Sequence, residues 1–108
     1  MILLDLINEL ELNEDERPTS SASERAKELL RLVDINLNGH LPHTNCVCEF
    51  NGGIRILWIH DDYEIRVMIG ASLENRSYIY LLKGGTYSGG LIEPLNDVTL
   101  TDCLKLII

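Results

Sequence analysis

The sequence predicts an α+β fold in which a five-stranded antiparallel meander is packed by N-terminal helices and followed by a short C-terminal helix. Three observations carry this. Apolar residues recur at every second position through Ile54, Ile56, Trp58, then Tyr63, Ile65, Val67, Ile69, then Tyr78 and Tyr80, the period of half-buried strands. Ala22, Ala26, Leu29, Leu30 and Val33 instead step at the spacing of one helix face. The breaks between the strand-like runs are short and rich in Gly, Asn and Asp, which joins neighbours as hairpins.

Taken in order, residues 2–12 place Leu3, Leu6, Ile7 and Leu10 in one stripe, with Asp5, Glu9 and Glu11 outside it, and read as a short amphipathic helix. A polar run, 13–19, breaks that pattern. Ser21-Ala22-Ser23-Glu24 then offers a capping box for a second helix reaching about Asp34, with Glu24, Arg25, Lys27, Glu28 and Arg31 on its wetter side. Gly39 and Pro42 disfavour continuing it, and five strands follow at 46–50, 54–60, 63–69, 77–82 and 86–91. A two-residue Asp61-Asp62 loop sets His60 opposite Tyr63, Trp58 opposite Ile65, Ile56 opposite Val67 and Ile54 opposite Ile69, so that one face is apolar on both strands. By the same logic Gly84-Gly85 sets Leu82 opposite Tyr87, Tyr80 opposite Gly89 and Tyr78 opposite Leu91. Thr99-Leu100-Thr101-Asp102 resembles a capping signal for a last helix whose face is Leu100, Cys103, Leu104 and Ile107.

The 108 residues fit one domain, 1–108, divided into a helix and acidic loop (1–17), the main helix (18–36), the sheet (46–91) and the C-terminal helix (99–107). With 45% hydrophobic and 24% charged residues, and no apolar run near the roughly 20 residues that span a bilayer, the composition is that of a globular chain without a membrane partner. The first residues are apolar but carry Asp5 and Glu9 in place of a basic leader, so they read as folded structure. Three cysteines, Cys46, Cys48 and Cys103, form an odd set that suits reduced thiols in the cytoplasm. A net charge of −8 argues against a nucleic-acid partner, since phosphate affinity needs clustered Lys and Arg. The acidity gathers at the N-terminus, where Asp5, Glu9, Glu11, Glu14, Asp15, Glu16 and Glu24 face Arg17 alone within residues 1–24.

Chemistry-bearing constellations are sparse. His40, His43, Cys46 and Cys48 are four potential zinc ligands within nine residues, but H-x2-H-x2-C-x-C is not a zinc-finger spacing, and strand cysteines commonly act as small hydrophobes. No metal or cofactor is therefore expected. A cysteine nucleophile with His43 as base lacks an orienting third group, and Asp61 and Asp62, beside Glu64, are explained by turn chemistry. The glycines at 84, 85, 89 and 90 match neither a dinucleotide fingerprint nor a P-loop. Trp58 reads as core and His60 as a solvated edge residue.

Two surface features remain. Leu57, Ile59 and Met68 fall on the face opposite the core, rimmed by Arg55, Glu64 and Arg66, and call for a cover: the N-terminal helix or a second copy of the chain. Tyr78, Tyr80 and Tyr87 either line a ligand groove or pack across strands. The helix led by Pro18-Thr19, the strands Ile54-Arg55-Ile56-Leu57-Trp58 and Ile65-Arg66-Val67-Met68-Ile69, Tyr78-Ile79-Tyr80 and a closing leucine-rich helix together resemble a class of small uncharacterised bacterial proteins over residues 18–107. That resemblance implies helices on an antiparallel sheet and brings no known activity. Likeness to acidic secretion chaperones is weaker, because the order of strands and helices differs. The expectation is a non-enzymatic cytoplasmic interaction module, of antitoxin, immunity or chaperone-like kind, that self-associates or binds a protein partner. The alternative is a small-molecule binding or hydrolytic protein using the tyrosines.

Overall fold

The computed structural model describes residues 17–84, 86–92 and 94–108, with backbone alone at 86–89. The helix expected over 2–12 lies outside the described residues. The chain enters helix α1 (Ser20–Asn36), runs through strands β1 (Asn45–Cys48), β2 (Ile54–His60), β3 (Tyr63–Ile69), β4 (Tyr78–Lys83) and β5 (Thr86–Ile92), and then enters helix α2 (Asp97–Leu104). The strands pair antiparallel in the order β1-β2-β3-β4-β5, the meander that the short connections require.

Helix α1 buries Ala22, Ala26, Leu30 and Val33 completely, together with Leu29, as its 3.6-residue period demands. Its start differs from the Ser21–Glu24 box. Thr19 is the N-cap, extended at φ −66° and ψ 156°, and its side chain accepts from the Ala22 amide at 3.1 Å. Thr19 also donates its amide to Gly52 O at 2.9 Å and its hydroxyl to Ala71 O, which ties the helix start to the β1–β2 turn and the β3–β4 loop at once. Those tertiary bonds select Thr19 from a Thr-Ser-Ser run in which each residue caps well locally. At the other end, Asn38 and Gly39 take left-handed φ values of 55° and 79°, and the Gly39 amide closes on Asp34 O at 2.9 Å.

The β2–β3 register is the expected one, His60 opposite Tyr63 and Trp58 opposite Ile65 through to Ile54 opposite Ile69. One face of these strands is sealed: Ile54, Ile56, Trp58, Ile65 and Val67 have no exposed surface and pack with α1 and with Leu100, Cys103, Leu104 and Ile107 after β5. The C-terminal face was legible, but its cap is Asn96 rather than Thr99. Asn96 accepts from the Thr99 amide at 2.9 Å while Thr99 accepts from the Asn96 amide at 3.1 Å, so Thr99 is the inner member of the capping box.

The β4–β5 register departs from the expected one. Lys83 faces Thr86 across the turn, but Leu81 faces Gly90 and Tyr80 faces Leu91, where an unbroken hairpin would set Tyr80 opposite Gly89 and Tyr78 opposite Leu91. The slip falls between Leu81 and Lys83, and Gly90 takes φ 61°. A strand of Ser88, Gly89 and Gly90 has no side-chain pattern with which to hold the straight pairing. Because the slip spans two residues, it leaves each side chain on its original face.

Candidate binding face on the sheet

Alternation along the strands gives the sheet a second face, opposite the two helices. The pairings line up three rows across the strands: Asn45, Leu57, Arg66 and Tyr80; Val47, Arg55 and Met68; and Ile59, Glu64 and Leu82. Met68 faces Tyr78 in turn, and Tyr80 faces Leu91. The expected association patch of Leu57, Ile59 and Met68 and two of the three expected groove tyrosines are therefore one surface. The sequence pattern counts Tyr78 and Tyr80 in one period-two series with the core residues Ile54 to Ile69, but Tyr78-Ile79-Tyr80-Leu81-Leu82 is apolar throughout and does not fix its own parity. In the structure Ile79 is the sealed core residue of β4, and Tyr78 and Tyr80 stand on the other side.

The two tyrosine rings pack on each other edge to face, with centroids 5.0 Å apart and planes at 74°. Tyr78 and Tyr80 thus pack against one another; the side chain of Tyr87 lies outside the described residues. Exposure across the face is uneven. Leu82 is 9% exposed and Leu57, Met68, Tyr78 and Tyr80 are half-buried, whereas Leu91 is 37%, Val47 43% and Ile59 62% exposed. Charge sits among the apolar groups in matched pairs, Arg66 with Glu64 beside it on β3, and Arg55 with Glu49 at 3.4 Å. Both pairs are partly solvated, so they place charge and specificity on the face more than they stabilise the fold.

The potential zinc quartet does not assemble. His40 and His43 are exposed on the loop before β1, with His40 Nδ1 against Leu37 O at 3.2 Å. Cys46 and Cys48 lie on β1 on the core side, opposite Ile56 and Ile54, and Cys48 Sγ donates to Glu49 O at 3.3 Å. Burial pushes the Cys46 thiol up to about 11, so it is neutral near pH 7 and neither a ready nucleophile nor a ready ligand. Among the described residues no three His, Cys, Asp or Glu side chains gather where they would hold a metal ion.

Asp61 and Asp62 form the β2–β3 turn, with Asp61 at φ 51°, and His60 Nε2 lies 3.4 Å from Asp61 on solvent. A notch of about 290 Å³ runs from Asp61 and Asp62 past Ile59 and Glu64 to Leu82 and Gly84. Another of about 310 Å³ lies along the first turns of α1, between Arg17, Ser20, Ser23 and Lys27. Neither includes a tyrosine of β4. Ser23 Oγ, buried at that second notch, has no hydrogen-bond partner among the described residues.

No family model, curated protein or solved structure matches this chain. No helix among the described residues is long and apolar enough to cross a membrane.

Proposed function

We propose that the chain is a non-enzymatic protein-interaction module that works through the second face of its sheet. The observation behind this reading is the face itself: apolar side chains at Val47, Ile59 and Leu91 remain open to solvent beside half-buried Leu57, Met68, Tyr78 and Tyr80, with Arg55 and Arg66 set among them. Apolar area studded with oriented charge is the composition of protein contact surfaces. The strong acidity, −8 over the chain, suits a basic partner, and an antitoxin, immunity or chaperone-like role is the kind of work such a module performs. Three free thiols, two of them on one strand, suit a reducing compartment, and we place the protein in the cytoplasm. The resemblance to small bacterial proteins belongs to the same reading and adds no reaction to it.

The test is capture from native cells with the intact chain and with Val47→Thr, Ile59→Thr, a pair of substitutions at exposed strand positions that removes apolar surface and keeps the β-branched shape. A partner recovered by the intact chain and lost by the variant is the expected result. Equal recovery by both moves the contact off this face. If the chain is recovered alone while a metabolite raises its melting temperature, the small-molecule alternative takes over.

A further inference from the structure

We propose that the notch along the first two turns of α1 binds the phosphoryl dianion of a small phosphate monoester, with the Ser23 hydroxyl as donor at its base and Arg17 and Lys27 as cations at its walls. The inference goes beyond the sheet-face reading and does not depend on it, because the notch and that face share no residue.

Ser23 is the first argument. It is 3% exposed and lines the notch, and its Oγ has no hydrogen-bond partner among the described residues. A helical serine can turn back to the carbonyl four residues before it. Here that carbonyl, Thr19 O, accepts from the Ser23 amide at 2.9 Å and the hydroxyl stays unpaired. Packing does not call for the oxygen, since Ala22 and Ala26 fill neighbouring sealed positions of α1 with a methyl group. A buried hydroxyl without a partner is unfavourable, and an acceptor seated in the notch removes that cost. The position opens to solvent through Ser20, which is exposed one turn earlier on the same side of the helix.

Charge is the second. The chain carries 9 Lys and Arg against 17 Asp and Glu, yet the charged residues lining the notch are Arg17, Lys27 and Glu24, two cations to one anion. The helix adds to this balance. Of its first amides, Thr19 donates to Gly52 O and Ala22 to Thr19 Oγ1, which leaves those of Ser20 and Ser21 as the positive end of α1, and Ser20 lines the notch. A phosphoryl group brings two charges and three terminal oxygens, enough acceptors for a guanidinium fork, an ammonium and a hydroxyl together. Glu24 accepts where those groups donate, so it suits a hydroxyl on the organic part of the ligand. The volume agrees: about 310 Å³ is the lower end of the roughly 300–1,000 Å³ of ligand pockets and leaves room beside the phosphoryl group.

Titration of the intact, isotope-labelled chain with glycerol phosphate, inorganic phosphate and glycerol tests the site by nuclear magnetic resonance, at an ionic strength held constant with chloride. Glycerol phosphate should shift the amide resonances of residues 20–27 along a saturable, millimolar curve, inorganic phosphate more weakly and glycerol not at all. Ser23→Ala, which α1 accommodates as it does Ala22 and Ala26, should keep the melting temperature and weaken binding of the ester about tenfold. Lys27→Gln should weaken it by a similar factor, whereas Lys105→Gln, at the C-terminal end of α2, should leave it unchanged. Equal affinities for ester and inorganic phosphate keep the phosphoryl site and assign it to the free anion. Shifts that do not saturate, that chloride alone reproduces, or that Ser23→Ala leaves in place overturn the proposal. Were Ser23→Ala to melt lower, Lys27→Gln against Lys105→Gln decides on its own, and equal binding by those two overturns it.

Discussion

The indole Nε1 of Trp58 donates to Thr44 Oγ1 at 2.8 Å, and the same hydroxyl donates to Pro42 O at 2.8 Å. Trp58 has no exposed surface and Thr44 only 2%, so this relay lets the largest core side chain be buried without stranding its one polar atom. It also fixes the loop before β1 against the sheet.

Thr44→Val keeps shape and removes the acceptor. It should lower the free energy of unfolding by about 1–3 kcal/mol in urea, the cost of a buried donor left unpaired, and Thr44→Ser should recover most of it. Trp58→Ala should cost roughly 3–5 kcal/mol through the cavity it leaves. Because Trp58→Phe removes the donor that Thr44 serves, the double variant Trp58→Phe, Thr44→Val should cost less than the sum of the singles.

Thr19 acts as cap and as tether, and substitutions separate the two. Thr19→Ala should cost about 1–2 kcal/mol. Thr19→Asp, as good a local cap, cannot donate to Ala71 O and should fall between Thr19→Ala and Thr19→Ser. Gly52 is the other half of this joint: its φ is 92°, and a Cβ there would lie 2.9 Å from Thr19 Cγ2. Gly52→Ala should cost roughly 1–2 kcal/mol from the backbone alone, so pairing it with Thr19→Ser, which removes the methyl, should relieve only part of the loss.

Local rules were enough wherever a side chain or a tight turn settled the matter. The two-residue Asp61-Asp62 turn fixed the β2–β3 register, and the helical spacing of Ala22 to Val33 fixed the buried face of α1. They failed where several residues satisfied the same rule. Thr19, Ser20 and Ser21 all cap, and only distant carbonyls choose among them; Asn96 and Thr99 are both cap residues, and the box uses each in turn. The β4–β5 slip follows from a glycine-rich strand that specifies no register, and the place of Tyr78 and Tyr80 from a five-residue run without alternation. The candidate face was half legible: its apolar members were found, but not that they and the tyrosines are one surface.

The Cys46 thiol gives a pH signature. Burial raises it from an ordinary value of 9.0 to about 11, so the folded chain holds the proton more tightly than the unfolded one. Its contribution to stability is therefore complete below about pH 9 and is lost as pH climbs through about 11. Cys46→Ala should flatten the decline of unfolding free energy over that interval relative to the intact chain. Alkylation at pH 8 should be slow in the folded protein and fast in urea; rapid reaction of the folded protein would contradict a protonated, shielded thiol.

Arg25 lies on what the sequence marks as the wet side of α1, yet it is half-buried and each of its three guanidinium nitrogens donates to the protein. Its Nε donates to Ser21 O at 3.2 Å, one terminal nitrogen to Ser77 Oγ at 3.3 Å and the other to Gly70 O, while Ser77 Oγ also accepts from the Gly70 amide at 3.0 Å. The β3–β4 loop is thereby clamped to the helix at both of its ends. A lysine carries the charge but not the planar fork, and cannot reach three acceptors that diverge in this way. Arg25→Lys should therefore destabilise nearly as much as Arg25→Met, by about 1.5–3 kcal/mol, the worth of hydrogen bonds from a charged donor. Amide exchange should quicken across residues 70–77 in both variants and not in the β1–β2 turn, which Thr19 holds on its own. If Arg25→Lys is as stable as the unmutated chain, charge alone holds the loop and the fork is incidental.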